Sequence, residues 1–380
     1  MPQDIVFDNL PAGYSENSAR SGEKITIRLM DFVSSEDGDE LITKLEELPQ
    51  QILSMLHLPP PGVLPSMVHS LLVIIRKDKT ATVYLNELQP VWQMRVKGSC
   101  KKGELVTSNH ILDVGRMKFP DITIPPEAGV AYVFSVGWRK GFFYDLSPLH
   151  DDQGRCRSYD LEETIGSLYA YLLFQERFKI DDATWKVFFD QRWFPFTHLN
   201  NALIREMISH ARQGWQIDDL LPKIVQNVKE LLRADPLEAK KVTAFTDHLD
   251  ILRTAVDRYL ADDHVSAASI LYPRIEGLLR SFLRAAGYTV TPTTKTLSKV
   301  AVEHHEANRI TNSLLLPAKF HQYLDDVYFA HFTPGSSPDV GRHSVAHGEA
   351  RMADFTLKAT TLAFLLVYQL RLFFSDGKKT

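Results

Sequence analysis

Cysteine is almost missing from this chain: 380 residues contain 2, Cys100 and Cys156, without CxxC spacing. So few thiols exclude a disulfide framework and fit a reducing compartment. Excess positive charge is missing as well. Lys and Arg number 43 against 47 Asp and Glu, for a formal net charge of -4, so any attraction for nucleic acid must come from one basic face. The first residues, MPQDIVFDNL, lack the basic start and apolar core of a signal peptide, and export is not expected. No uninterrupted membrane-length apolar run occurs. The longest candidate, TLKATTLAFLLVYQLRLFF, is broken by Lys358, Gln369 and Arg371 and is expected to be a buried helix. The expectation is a cytoplasmic chain with no membrane partner.

Phosphate-cradling and nucleophile motifs are absent too. GSCKKGEL has Gly98 and Gly103 at P-loop separation, but Glu104 stands where the lysine belongs and no hydroxyl follows. No GxGxxG, GxSxG or DxDxDG pattern appears, and there is neither an internal repeat nor a low-complexity tract.

What is present is ordinary globular material, 44% apolar and 24% charged, long enough for two or three compact units. The runs KITIRLMDF, SLLVIIRKDKTATVYLNEL and GVAYVFSV predict strands, and DELITKLEELPQQILSMLHL predicts a helix ending at Pro59. FSVGWRKGFFYDL puts Gly137 and Gly141 around the turn of an expected hairpin. A plain turn explains Trp138, Arg139 and Lys140 at its tip better than a nucleic-acid clamp. Beyond residue 155 helical spacing takes over, at 160–178, 197–213, 215–232, 236–261, 264–286, 314–330 and 349–374. The fold class is an α+β N-terminal region followed by an all-α C-terminal bundle. Its expected divisions are 1–155 (α+β, of no recognised family), 156–235 (a helical connector) and 236–380 (the bundle).

One segment concentrates chemistry. TPGSSPDVGRHSVAHGEARMADF carries Arg342, His343 and His347 between two predicted helices, with Asp339 as an expected N-cap of a helix running through Gly348. On an ideal helix His343 and His347 lie about 40° apart, while Arg342 and His347 lie about 140° apart. A second copy would relieve that separation by bringing its arginine to the first copy's histidine. The two histidines have zinc-chelating spacing, but Ser344 stands where the metalloprotease glutamate belongs, so no metal and no cofactor is expected. VEHHEAN, with Glu303, His304, His305 and Glu306, reads as a solvated face. Glu276 and Arg280 share a helix face and are expected to pair with each other, or to support the site if Glu276 orients Arg342. Lys319, His321 and Arg351 are candidates for a basic approach, with solvated surface as the simpler reading.

The segment Arg342-His343-Ser344-Val345-Ala346-His347 resembles the signature of the HEPN superfamily: arginine, a polar residue, a short spacer and histidine, here followed by Gly348. The resemblance spans roughly residues 236–380. It implies a helical bundle that dimerises and a metal-independent endoribonuclease, often a toxin or antiviral defence effector. By that resemblance His347 is general base or acid, Arg342 holds the scissile phosphate, and His343 orients the phosphate or shares proton transfer. The residue types suit those roles, since imidazole titrates near neutrality and guanidinium offers a planar fork to phosphate oxygens. Expected partners are an RNA substrate, a second copy, and an antitoxin or trigger molecule. The alternative is a catalytically inactive HEPN-like module for dimerisation or for binding a nucleotide or partner.

Overall fold

The computed structural model describes residues 2–8, 14–15, 19–24, 27–28, 30–56, 67–146, 157, 159–235, 237, 242–288, 293, 296–299, 302–303, 312–329, 345 and 350–375. The chain divides into two compact units, one of residues 1–93 and 114–174, the other of 94–113 and 175–380. The sequence-based breaks fall instead near 155 and 235. Residues 175–235 share one hydrophobic core with the C-terminal helices, and so does Leu112. Segments that bury apolar side chains together divide as one unit whatever their order in sequence.

The first unit is built on an antiparallel sheet. Its strands are β1 (Gln3–Val6), β4 (Met30–Ser34), β5 (Ser70–Ile75), β6 (Thr80–Leu85), β9 (Gly129–Val136) and β10 (Arg139–Asp145), in the order β1-β6-β5-β9-β10-β4. A short ladder joins β2 (Tyr14–Ser15) to β3 (Ile27–Arg28); β7 (Val91–Val96) pairs with β8 (Ile111–Lys118), and both strands run across the divisions at 93/94 and 113/114. The helices here are α1 (Asp39–Met55) and α2 (Leu161–Leu173).

Alternation along the central strands sends residues to both faces. Leu71, Val73, Ala131 and Val133 pack with Leu41, Leu45 and Ile52 of α1. Leu72, Ile74, Val130 and Tyr132 pack with Ile165, Leu168 and Leu172 of α2. Because both faces are covered, β5 and β9 read as continuous apolar runs rather than as alternating ones. Each such fully buried aliphatic side chain contributes about 1.5–3 kcal/mol.

The expected hairpin is β9–β10, but its glycines have different reasons. Gly137 takes the turn at φ 61, a conformation open to glycine. Gly141 lies within β10, where a Cβ would stand 2.9 Å from side-chain atoms of both Leu172 and Phe32. It is a packing glycine, not a turn glycine. Trp138 is exposed at the tip, and the Arg139 guanidinium lies 5.2 Å from its ring while donating to Leu172 O at 2.7 Å.

The second unit is helical: α3 (Gln175–Phe178), α4 (Asp182–Asp190), α5 (Asn201–Arg212), α6 (Leu221–Ala234), α7 (Leu249–Leu260), α8 (His264–Ala285), α9 (Pro317–Tyr323) and α10 (Leu357–Ser375). Helix α4 was not anticipated, although Asp181 caps it by accepting from Thr184 N at 2.7 Å. The predicted 236–261 helix is shorter, with α7 starting at Leu249 after a 3-10 turn. Among the described residues α10 is the one helix long and apolar enough to cross a bilayer. Its apolar window is 83% buried within the unit, packed against α8, α6 and other helices, as a core helix is.

Candidate functional site

Of the residues singled out in the sequence, Arg342, His343 and His347 lie outside the described residues, as do Asp339, Gly348, Cys156, His304, His305 and Glu306. Val345, inside the R-x4-H segment, is described: it is helical, half-buried, and packed against the core of the helical unit.

The expectation that the motif's helix runs on into α10 is corrected. Arg351 is extended (φ -88, ψ 161), Met352–Asp354 forms a 3-10 turn, and α10 begins at Leu357. Two local bonds make the break. Asp354 Oδ2 accepts from Arg351 N at 2.7 Å, and Thr356 Oγ1 accepts from Ala359 N at 3.1 Å, capping α10. The free N–H groups of α10 therefore lie beyond the motif in sequence.

Glu276 and Arg280 behave as the simpler reading expected. Arg280 donates to Glu276 Oε1 through Nε at 2.8 Å and through Nη2 at 2.6 Å. Lys319 pairs with Asp182 at 3.3 Å and lies 5.5 Å from the Trp185 ring, His321 is 3.3 Å from Asp325, and Arg351 is exposed.

Described residues from both sides of the motif in sequence share a cavity. A cavity of about 210 Å³ is lined by Tyr328 on the N-terminal side of the segment and by Ala353 and Asp354 on its C-terminal side. Helix α8 contributes Tyr272, α9 contributes Tyr323, and the head of α10 contributes Lys358. Arg192 completes the wall from the loop after α4.

Two backbone irregularities border this space. Beyond α9 the helix widens into a π turn over Leu324–Tyr328, where Phe329 N donates to Leu324 O, five residues back, at 2.7 Å. Such turns interrupt side-chain register and recur at functional sites. Arg192 holds φ 62, a left-handed conformation that a non-glycine residue adopts at a cost of about 1 kcal/mol or more. The tyrosines hold both in place. Tyr323 donates to Arg192 O at 3.0 Å, Tyr328 to Tyr272 O at 2.6 Å, and Tyr272 to Ala359 O at 3.2 Å. Burial pushes the Tyr323 phenol far above its ordinary value, so it remains a hydrogen-bond donor. Lys358 is held by Asp218 at 2.6 Å and Gln191 O at 2.9 Å, and sits 5.3 Å from the Trp193 ring.

No family model, curated protein or solved structure matches the chain. Function is therefore read from the residues themselves.

A second polar cluster was also not anticipated. Arg177 is 2% exposed; its Nη2 donates to Pro195 O and Leu314 O, each at 3.0 Å, while Nε and Nη1 have no hydrogen-bond partner among the described residues. Burial pulls its guanidinium down to about 10, opposed mainly by the charge of Asp113. Asp113 accepts from Ser313 Oγ at 2.8 Å and Leu314 N at 3.1 Å. Lys97, desolvated and near Arg177, is held well below its ordinary value and donates to Leu199 O and Asn201 Oδ1. His198 is likewise held well below, first by burial and then by Arg371, Lys97 and Arg95. These groups tie residues 94–113 into the helical unit, and they read as structural. The signal available in sequence was a set of charged residues inside apolar runs, which identifies burial without identifying partners.

Proposed function

We propose that this chain is a metal-independent endoribonuclease of HEPN type, a toxin or antiviral defence effector whose site is completed between two copies. The observation that carries the reading is the burial of Val345 against the helical core, within a segment whose remaining polar residues suit phosphate chemistry. On an ideal helix with position 345 turned inward, positions 343 and 347 each fall about 160° away, on the outward side, about 40° from each other. Imidazoles so disposed on an ideal helix would be open to substrate and to a second copy's arginine.

The chemistry follows from the residue types. One imidazole removes the proton of a ribose 2'-OH, whose oxygen attacks the adjacent phosphorus. The bond to the 5'-oxygen breaks, and that oxygen takes a proton from the other, protonated imidazole. A 2',3'-cyclic phosphate and a 5'-hydroxyl result. Arg342 stabilises the additional negative charge on the five-coordinate phosphorus, and its fixed charge contributes most where that charge develops. The sheet-bearing first unit would supply recognition or restraint.

The test is incubation of full-length wild type, Arg342→Ala and His347→Ala with RNA in EDTA, after matching their helicity and oligomeric state. The expected result is cleavage by wild type alone, with cyclic phosphate ends. Inactivity of wild type on varied RNAs with the available activators would remove the nuclease reading. Loss of activity in EDTA would point to a metal.

A further inference from the structure

Helix α8 carries a polar stripe that belongs neither to the cavity nor to the R-x4-H segment. Arg274, Gly277, Ser281 and Arg284 follow at intervals of three, four and three residues, so they share one helix face. The glycine lets a ring lie against that face: a Cβ at 277 would stand 3.0 Å from His248 Cε1. His248 ends the 3-10 turn Thr243–His248 and is 7% exposed. Its Nε2 lies 3.0 Å from Ser281 Oγ, and Arg284 Nη2 donates to the same oxygen at 3.0 Å. Ser281 therefore gives its one hydroxyl proton to Nε2, which leaves the ring's own proton on Nδ1. That buried Nδ1 has no hydrogen-bond partner among the described residues.

Charge distinguishes this stripe from the rest of α7 and α8. The other arginines of the two helices each face a carboxylate: Arg253 lies 3.6 Å from Asp250, Arg258 3.7 Å from Asp263, and Arg280 2.6 Å from Glu276. Arg274 and Arg284 have no carboxylate within ion-pairing distance among the described residues, and Arg284 is exposed while Arg274 is half-buried. Burial first, then Arg274 and Arg284, hold His248 below its ordinary value, opposed by Asp247 of its own turn. Of the other elements packed on the turn, α7 adds Asp257 to the pairs just given, and α10, which sets Phe374 against Phe245, commits Arg371 to Asp235. Two uncommitted guanidiniums beside a buried imidazole leave positive charge uncompensated. One guanidinium fork satisfies a carboxylate, so two forks suit a group with more oxygens, as a phosphoryl group has. We propose that this stripe binds a phosphoryl group, and that it holds one backbone phosphate of the RNA strand. The identity of the strand rests on the ribonuclease reading; the phosphate site itself rests on the stripe. Contacts to phosphate fix the position of a strand without reading its sequence. Binding is also linked to protonation. A bound anion offsets the two arginines, the His248 ring then takes a proton more readily, and affinity rises as pH falls through the range of imidazole.

Arg274→Gln, Arg284→Gln and the double variant test the stripe at residues outside the core, and Arg253→Gln, whose partner is Asp250, is a control that removes one charge as each single variant does. Affinity of the full-length protein for a mixed-sequence 2'-O-methyl oligoribonucleotide, which cannot be cut, is measured against salt concentration. Circular dichroism verifies folding. Each phosphate neutralised on a single strand contributes about 0.7 to the slope of log affinity against log salt. The double variant is expected to lose at least that much slope, each single variant to bind more weakly, and Arg253→Gln to keep the wild-type slope. A slope unchanged in the double variant, or lowered as much by Arg253→Gln as by the single variants, overturns the site. Between pH 7.5 and 5.5 wild type is expected to gain more affinity than His248→Gln, which keeps every other histidine. An equal gain in the folded variant overturns the link to the ring. Competition by inorganic phosphate in wild type but not in the double variant locates the phosphoryl group on the stripe. Inorganic phosphate that binds there without displacing the strand identifies a free phosphate as the ligand and overturns the strand assignment. If the double variant binds and cuts RNA as wild type does, the phosphate site falls and the nuclease reading stands. If the strand binds through the two arginines but RNA is never cut, the nuclease reading falls and the phosphate site stands.

Discussion

Replacing Gly166 with alanine sets two effects of opposite sign against each other. In an exposed helix interior the change stabilises by about 0.5–1 kcal/mol, because glycine loses more backbone entropy on folding. Here α2 lies on β8, and a Cβ at 166 would stand 2.8 Å from Gly115 O and 3.0 Å from Arg116 Cα. Both atoms are backbone and cannot rotate aside. Gly115 is itself confined, since its own Cβ would meet Gln93 O at 3.2 Å. The helix must lift, straining the bonds that Arg116 makes to Asp160 and Glu163. Those half-exposed ion pairs are worth less than about 1 kcal/mol each, so the packing term dominates. Overpacking costs about 1–3 kcal/mol, and after the propensity gain Gly166→Ala is expected to destabilise α2 by about 1–2 kcal/mol. A chain of two units need not unfold in one transition, so the readout is amide hydrogen exchange of peptides covering 161–173. Exchange should accelerate roughly 5–30-fold. Unchanged or slower exchange would refute the contact between α2 and β8.

Further expectations concern the helical unit and the hairpin. Asp113→Ala removes acceptors for Ser313 Oγ and Leu314 N and leaves the buried Arg177 charge without its main compensation, so a loss of at least about 3 kcal/mol is expected in urea unfolding. His198 stays neutral when folded but accepts a proton near 6.5 when unfolded, so the unfolded state binds more protons below that pH and stability falls as pH drops. In His198→Phe the stability difference between pH 7.5 and 5.5 should shrink by about 1 kcal/mol, the remainder including His248, which burial also holds below its ordinary value. Trp138→Ala at the exposed hairpin tip should alter stability by less than about 0.5 kcal/mol and leave RNA affinity unchanged; a tenfold loss of affinity would restore the clamp reading.

Much of the architecture was legible because period follows burial. The 3.6-residue pattern located α5, α6 and α8 to within a few residues, and the apolar runs located β5, β6 and β9. Where the pattern misled, a local bond or a contact decided. The Asp354 and Thr356 bonds start α10 eight residues later than periodicity does, and Gly141 is explained by Leu172 and Phe32, distant in sequence. The cavity was illegible for the same reason. Neither the left-handed Arg192 nor the π turn at 324–328 has a sequence signature, and Tyr272, Tyr323 and Tyr328 look like ordinary core residues until their neighbours are known.

The sequence by itself determined the class of each half and singled out Arg342, His343 and His347 as its densest phosphate-handling chemistry, because residue type and spacing are local properties. Tertiary structure alone decided that residues 94–113 belong with the helices, and that a tyrosine-lined cavity is shared by residues from both sides of the motif in sequence. Those facts depend on which distant segments exclude water together, and burial of that kind is a property of the folded chain as a whole.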